Sequence, residues 1–333
     1  MEYFASKNHN RLNHRAFTPE KVSSHICLNP SYPVTLGQSP GRLNVLLDSG
    51  AFQDTAAHER LSFQAALDRQ LCFEREQQVS ANYLVSYDRI VDETPTIQGH
   101  RKKRRVPSQI ADRYVSQTID AAKFLSDHRR ELEPRRLVLS NQGISPDQYV
   151  DCIKEVLRFA EPSDVIGLGG FCIIGQVPRL TADYFEVLRR ALPLLKRRRI
   201  RRIHVFGVGV FSVLIKTHVV CSLTGIVPSY DTSSLELNAV FGRTFQPDTR
   251  GIGPAGVHLT SVFTKEDKYK LYHPCDWALL NIKIVNEFWR ELNQIYPLPN
   301  LDTKEVLFSK EPFRSDRSKG VLASRAVPAN IAG

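Results

Sequence analysis

The stretch Val165-Ile166-Gly167-Leu168-Gly169-Gly170-Phe171 decides the fold, because an unbroken apolar run ends there in a pair of glycines. Consecutive apolar residues without polar alternation are typical of a strand that is buried on both faces of a parallel sheet. Runs of the same kind recur along the chain, at residues 43–47, 83–85, 137–139, 203–208 and 223–227. Together with residues 165–168, they predict the strands of one mainly parallel sheet.

Helical patterns alternate with these runs. The clearest begins at Ser145, a good N-cap, which is followed by Pro146 at the first helical position and by Gln148, which completes a capping box. We predict three further helices, over about residues 110–130, from about residue 181, and over about residues 277–292. The predicted buried face of the last helix carries Leu280, Ile284, Phe288 and Leu292.

The repeated order of strand and helix implies right-handed crossovers between parallel strands. Such a sheet either stays open and doubly wound or closes into a barrel of eight strands. No GxGxxG motif follows the first strand and no P-loop is present, so dinucleotide-binding and P-loop folds lose support. We predict an α/β fold, a TIM (β/α)8 barrel over residues 1–300 with irregular N- and C-terminal extensions, and a loose polar tail over residues 301–333.

Composition narrows the class of protein. Of 333 residues, 42% are hydrophobic and 24% are charged, which is the balance of a soluble globular protein. No apolar stretch is long enough to cross a bilayer, and the polar stretch from Met1 to Arg15 predicts no signal peptide. The six cysteines are scattered, so we expect reduced thiols and neither a zinc ribbon nor a redox pair. These features predict a cytoplasmic protein with no membrane partner.

The net charge of +10 indicates either a solvated basic surface or an anionic partner such as a nucleic acid. Much of the charge lies in two runs, residues 100–105 and residues 196–202. Each run is interpreted either as a solvated loop or as phosphate contacts at the rim of a site. The first run supplies the predicted nucleic-acid-binding residues, Arg101, Lys102, Lys103, Arg104 and Arg105.

Several apolar runs end in polar or glycine-rich turns. In a barrel, the carboxyl ends of the strands form one face, and catalytic groups lie there. Carboxylates at this face can act as nucleophile and as acid or base at a sugar, and an Asp with a Gln can bind the edge of a purine. A helix N-cap or a turn also accounts for each residue taken singly. The residues in question are Asp48, Asp88, Gln142, Gly169, Gly170 and Asp231.

The motifs at these strand ends resemble those of the guanine-transglycosylase superfamily, in the same order. Asp48-Ser49-Gly50-Ala51-Phe52-Gln53 resembles the DSGGFQ-type motif of tRNA-guanine transglycosylases. Shorter segments resemble the later motifs: Ser86-Tyr87-Asp88, Gln142-Gly143, Gly169-Gly170-Phe171 with Gly175, Phe206-Gly207-Val208-Gly209, and Ser229-Tyr230-Asp231. The resemblance covers residues 40–245. It implies a TIM barrel that exchanges guanine in a nucleic acid for a 7-deazaguanine.

The resemblance also implies a role for each matching residue. Asp231 would be the nucleophile that attacks the anomeric carbon and forms a covalent glycosyl-enzyme, and Asp48 would be the general acid and base. Two phenylalanines would stack on the faces of the base, and ordinary core packing is the alternative role for them. The target nucleotide would leave its duplex or stem to reach the site. The residues implied to bind the base are Asp88, Gln142, Gly169 and Gly170 at its edge, and Phe52 and Phe206 on its faces.

The sequence departs from the tRNA enzymes after Asp231. Their structural zinc site uses a C-x-C-x-x-C pattern and a downstream His, whereas here only Cys275 follows, and Lys283 stands in the place of that His. We therefore expect no zinc and no other cofactor. An incomplete alternative is left by His258, His273 and Cys275.

The missing zinc ligands point to a polymer other than tRNA, and the chain looks more like the DpdA-type branch of the superfamily, which acts on DNA. The expected partners are DNA and a free 7-deazaguanine base, such as 7-cyano-7-deazaguanine, with accessory DNA-modification proteins where the duplex has to be opened. Two alternatives stay open, a tRNA-guanine transglycosylase and a catalytically silent, nucleic-acid-binding paralogue. The presence of both Asp48 and Asp231 argues against a silent paralogue.

Overall fold

The computed structural model describes residues 1–7, 17–37, 42–93, 104–172, 174, 178–248, 258–263 and 273–299. Most of the strands in this part of the chain belong to one closed barrel. The strands are β1 (Glu2–Ser6), β2 (His25–Leu28), β3 (Asn44–Leu47), β4 (Tyr83–Val85), β5 (Asp92–Glu93), β6 (Arg104–Arg105), β7 (Arg136–Asn141), β8 (Val165–Leu168), β9 (Arg202–Val205), β10 (Val227–Thr232), β11 (Arg243–Asp248) and β12 (His258–Phe263).

Eight parallel strands form the barrel in the order β1, β2, β3, β4, β7, β8, β9, β10, and β10 pairs again with β1. The strand pairs β5–β6 and β11–β12 are separate and antiparallel. The predicted α/β barrel of the TIM type is therefore confirmed. The barrel lies in the unit Met1–Pro299, whereas Asn300–Gly333, which includes the predicted tail, lies outside the described residues.

Helices follow most of the barrel strands and cover the outside of the barrel. None of the helices in the described part of the chain is both long and apolar enough to cross a membrane. The helices are α1 (Ala51–Ala56), α2 (Phe63–Glu76), α3 (Ser108–Asp127), α4 (Arg129–Leu132), α5 (Pro146–Val156), α6 (Pro178–Arg197), α7 (Phe211–Thr224), α8 (Ser234–Val240) and α9 (Pro274–Ile295).

Side chains on each barrel strand alternate between two hydrophobic clusters, because neighbouring residues of a strand point to opposite faces. On β9, Ile203 and Val205 belong to the large cluster that includes the helices. His204 and Phe206 face the smaller cluster inside the barrel, where His204 is fully buried. The same alternation places Asp231 on the inner face of β10 and Tyr230 on its outer face, where the Tyr230 hydroxyl accepts a hydrogen bond from Trp289 of α9 at 2.8 Å.

The first two barrel strands were not predicted. β1 lies in the stretch that was interpreted as a polar N-terminal segment, and β2 contributes only three consecutive apolar residues. The polar residues of β1 are explained by the barrel, since Glu2 accepts hydrogen bonds from Arg202 of β9 at 3.0 Å. An ion pair between strands that are distant in sequence leaves no local pattern, so hydrophobic periodicity did not reveal this strand.

Two other predictions were wrong in detail. The strand predicted at residues 223–227 lies further along the chain, because α7 continues to Thr224, Gly225 follows it in the left-handed conformation with φ of 73°, and β10 begins only at Val227. On α9, Leu280 is 46% exposed rather than buried. The buried face of α9 includes Asn281, whose side chain bonds to the backbone of Phe245 at 3.0 Å and of Leu235 at 3.1 Å. Because Asn281 lies in an inner position, the buried face of α9 differs from the purely apolar face that was predicted with Leu280.

The N-terminus of α5 is largely as predicted. Ser145 Oγ accepts a hydrogen bond from the backbone amide of Gln148 at 3.3 Å, and Pro146 is the first helical residue. The Gln148 side chain, however, accepts from the backbone amide of Ile144 at 2.9 Å, one residue before the expected capping-box partner. The cap therefore stabilises the turn that follows β7 as well as the helix.

Candidate active site

A cavity of about 540 Å³ opens at the carboxyl ends of the barrel strands. All of the residues predicted for catalysis and for base binding line it, namely Asp48, Asp231, Asp88, Gln142, Gly169, Gly170, Phe52 and Phe206. They come from six strand ends that are spread over the sequence, and the parallel barrel brings them together. Gly175, the last residue of its motif, lies outside the described residues.

Asp231 lies near the end of β10, and its carboxylate is held on one oxygen. His204 Nε2 lies 3.1 Å from Asp231 Oδ1, and the backbone amide of Gly207 donates to the same oxygen at 3.2 Å. The Asp231 side chain is 21% exposed, so the carboxylate reaches the cavity. Burial raises the pKa of the neighbouring Glu236 on α8 to about 8. Glu236 is therefore mostly uncharged at neutral pH and adds little negative charge beside Asp231.

Asp48 follows β3, and both of its carboxylate oxygens accept hydrogen bonds. The backbone amide of Ser49 donates to Oδ1 at 2.8 Å, and Asn29 Nδ2 donates to Oδ2 at 2.9 Å. Desolvation, followed by the charges of Asp231 and Asp88, raises the pKa of Asp48 to about 7. A carboxyl group with this pKa can both give and take a proton near neutral pH, which is what a general acid and base requires.

Asp88 and Gln142 form a buried pair at the inner side of the cavity. Gln142 Nε2 donates to Asp88 Oδ2 at 2.5 Å, and burial raises the pKa of Asp88. Gln142 Oε1 is buried and has no hydrogen-bond partner among the described residues. A buried acceptor without a partner is costly, so a ligand that donates a hydrogen bond here would relieve the cost.

Gly169 is required by its contact with Gln142. A Cβ atom on Gly169 would lie 2.2 Å from Gln142 Nε2, which is far inside van der Waals contact. Its neighbour Gly170 takes a positive φ of 71°. The glycine pair therefore lets the backbone pass close to the Asp88–Gln142 pair, and a side chain on Gly169 would push the Gln142 amide out of position.

The two phenylalanines lie at different depths. Phe206 is partly buried and packs on the cluster inside the barrel, where its ring contacts the position that a Cβ of Gly167 would occupy, at 2.6 Å. Phe52 lies on α1 at the cavity and is 47% exposed. An exposed aromatic ring beside a polar cavity has no packing role to fulfil, so core packing explains Phe206 better than it explains Phe52.

The predicted nucleic-acid-binding run is described only in part. Arg101, Lys102 and Lys103 lie outside the described residues, and Arg104 and Arg105 form β6, of which the backbone pairing with β5 is described. Both strands lie in the connection from β4 to α3, which leaves the barrel at the face of the cavity. The second run, residues 196–202, connects α6 to β9 and so lies at the opposite end of the barrel. It cannot form the rim of this cavity.

No metal site is apparent within the described parts of the chain, where no group of three or more His, Cys, Asp or Glu side chains is arranged to hold a metal ion. The incomplete zinc alternative from the sequence consisted of His258, His273 and Cys275. His273 caps α9, with its Nδ1 accepting from the backbone amide of Cys275 at 3.3 Å. His258 lies on β12, and its side chain is outside the described residues.

Two site residues were missed in the sequence, Asn29 and His204. Asn29 Nδ2 donates to Asp48 and also to Gln53 Oε1 at 2.6 Å, and it follows the unpredicted strand β2. The pattern Ile26-Cys27-Leu28-Asn29-Pro30, a short apolar run that ends in a turn, is the signal that could have revealed it. His204 interrupts an apolar strand, and an inward polar residue of that kind indicates a buried interaction.

No protein-family model matches the chain, and no curated protein matches it. The resemblance to the guanine transglycosylases therefore rests on the sequence motifs alone.

Proposed function

We propose that the protein is a guanine transglycosylase that exchanges guanine in DNA for a free 7-deazaguanine base through a covalent glycosyl-aspartate. The observation that carries the proposal is that Asp48, Asp231 and the Asp88–Gln142 pair share one cavity. A barrel alone is compatible with many activities, so the fold itself adds little to the argument. The residues of this cavity, in contrast, suit both the chemistry and the base.

The base is recognised at its hydrogen-bonding edge. Guanine presents the N1–H and 2-amino donors side by side, and the Asp88 carboxylate together with Gln142 Oε1 offers acceptors for them. A 7-deazaguanine keeps the same edge, so one pocket can take the leaving and the incoming base. Phe52 and Phe206 would lie against the faces of the ring.

The exchange needs two displacements at the same carbon. The Asp231 carboxylate attacks the anomeric carbon, the bond from that carbon to guanine N9 breaks, and the electron pair leaves with the base. Protonated Asp48 gives its proton to the departing guanine. The resulting Asp48 carboxylate then takes the N9 proton of the incoming base, whose N9 displaces Asp231 and restores the free carboxylate. The number of protons on the enzyme is the same before and after the cycle.

DNA is favoured over tRNA by the sequence, because the zinc-ligand pattern of the tRNA enzymes is missing after Asp231. Arg104 and Arg105 belong to the connection from β4 to α3, which leaves the barrel on the cavity side, and the predicted run from Arg101 to Arg105 would contact the phosphate backbone. The extruded nucleotide would then enter the cavity, with accessory proteins opening the duplex where that is needed.

Mass spectrometry of nucleosides tests the proposal. The protein is expressed in cells that make 7-deazaguanine precursors, and purified DNA and tRNA are digested separately. We expect a deazaguanine nucleoside in DNA, absent with Asp231→Ala and present with Asp127→Ala, which changes an exposed aspartate of α3. A mark in tRNA alone would transfer the proposal to tRNA. With no mark, and no covalent complex between purified protein and either nucleic acid, the protein would be a silent paralogue.

A further inference from the structure

His204 contacts Asp231 from inside the barrel, and the reaction described above gives it no role. It lies on β9 directly beside Ser229 of β10, and its ring is fully buried. Nδ1 lies 2.9 Å from Ser229 Oγ, and Nε2 lies 3.1 Å from Asp231 Oδ1. Both ring nitrogens therefore have a partner on β10, two residues apart on the same face of that strand.

Aromatic neighbours fix the orientation of this ring. Phe4 of β1 meets it edge to face at 5.7 Å between ring centres, and Phe206 meets it in the same manner at 4.7 Å. A lone pair on Nε2 would point at a carboxylate oxygen, so the nitrogen that faces Asp231 carries the proton. Ser229 Oγ then supports the ring at Nδ1, from the other side.

The two oxygens of Asp231 are consequently not equivalent. His204 and the backbone amide of Gly207 both bind Oδ1, at 3.1 and 3.2 Å. Oδ2 has no hydrogen-bond partner among the described residues, and the side chain lines the cavity. An oxygen with two donors is a weaker nucleophile than one with none, because the donors stabilise its negative charge.

We propose that His204 is a positioning residue that holds Asp231 Oδ1 and thereby presents Oδ2 as the oxygen that attacks the anomeric carbon. The inference rests on the proposed function. In the step concerned, the bond from Oδ2 to the anomeric carbon forms while the bond to guanine N9 breaks. His204 keeps its proton throughout, because Asp48 supplies the proton for the departing base. Its contribution is to fix the carboxylate in the orientation for attack.

The test is single-turnover formation of the covalent enzyme–DNA complex, followed on denaturing gels for the wild type, His204→Leu and His204→Gln. The leucine removes both hydrogen bonds, whereas the glutamine amide can place a donor near the position of Nε2. We expect His204→Leu to slow the covalent step by about 10- to 100-fold without a change in the KM for DNA. We expect His204→Gln to recover most of the rate.

The split between variants separates positioning from stability. The inference would be overturned if His204→Leu formed the covalent complex at the wild-type rate. It would also be overturned if His204→Gln were as slow as His204→Leu while it unfolded at the same temperature as the wild type. If His204→Leu does not fold, Ser229→Ala takes its place, and we expect a smaller loss of about 3- to 10-fold, since it removes only the support of the ring. A wild-type rate for Ser229→Ala would then count against the inference. A wild-type protein that forms no covalent complex on DNA or tRNA instead refutes the proposed function itself.

Discussion

On each side of the cavity, a residue of the neighbouring strand binds the carboxylate, but the two carboxylates differ in how many of their oxygens accept hydrogen bonds. On one side, Asn29 at the end of β2 supports Asp48 after β3; on the other, His204 of β9 supports Asp231 of β10. In each case, the support comes from the neighbouring strand. Asp48, however, has a hydrogen-bond donor on both oxygens, whereas Asp231 has its donors on Oδ1.

The difference suits two chemical roles. A carboxylate with one oxygen left open to the cavity is arranged to form a bond, and a carboxyl group with a pKa of about 7 is arranged to exchange protons. Two similar residues thus acquire different reactivity from their surroundings alone. Variants of each side should therefore fail in different ways.

The largest effect is expected for Asp231→Asn. An amide is a poor nucleophile, so base exchange should fall by at least about 1,000-fold and the covalent complex should disappear. The change nearly preserves the shape of the side chain, so the melting temperature should stay close to that of the wild type. A fall of more than several degrees would mean that Asp231 is mainly structural. Both measurements use the same purified protein.

Asp48→Asn should slow exchange by about 100- to 10,000-fold through loss of the general acid and base. In the wild type, guanine release requires protonated Asp48 and should slow as the pH rises through about 7. Use of the incoming base requires the carboxylate and should slow as the pH falls, with a midpoint below 7, because the ester at Asp231 removes a charge that helps to raise the pKa of Asp48. Rapid-quench measurements of the two half-reactions give the two profiles. Identical pH profiles for both would contradict the assigned role.

The same residue makes a prediction for stability. The pKa of Asp48 is raised from 3.8 to about 7 in the folded protein, so the folded state binds more protons than the unfolded state between these values. Stability from this group is therefore present below pH 4 and is lost as the pH rises through 7. The melting temperature of Asp48→Asn minus that of the wild type should therefore be larger at pH 8 than at pH 5. An unchanged difference would show that Asp48 is already ionised at pH 5.

Gly169→Ala should weaken base binding by about 10-fold, since the new Cβ displaces the Gln142 amide and breaks its bond to Asp88. The KM for the free base should change more than kcat. The double variant with Gln142→Ala is the control. Without the Gln142 side chain there is no clash, so adding Gly169→Ala to Gln142→Ala should weaken base binding little further. Additive losses in the double variant would place the effect of Gly169 elsewhere.

The smallest predicted effect is on DNA affinity, and it should differ between the basic run at residues 100–105 and the one at residues 196–202. Replacing Arg104 and Arg105 with serine should lower DNA affinity several-fold and reduce the salt dependence by about one unit for each lost phosphate contact. Arg197 and Arg198 carry the same charge at the opposite end of the barrel, so the same replacements there should change affinity by less than about twofold. Fluorescence anisotropy at several salt concentrations compares the pairs. Equal losses would show that charge, not position, governs binding.

Much of the site could be predicted because its residues follow directly on apolar runs. Asp48, Asp88 and Gln142 each stand within three residues of a predicted strand end, and the parallel arrangement then brings them to one face. Asn29 and His204 were not found in this way. Asn29 follows β2, whose short apolar run was not interpreted as a strand, and the role of His204 depends on a partner 27 residues away.

The sequence by itself determined the alternation of parallel strands and helices, the polar residues at the strand ends and the residue types in the cavity, because hydrophobic periodicity and strand-end chemistry are local properties. Only the tertiary structure decided which oxygen of Asp231 is bound, that Asp48 titrates near neutral pH, and that the run at residues 196–202 lies away from the cavity. These properties depend on burial and on distances between strands that are far apart in the chain, and no local pattern encodes them.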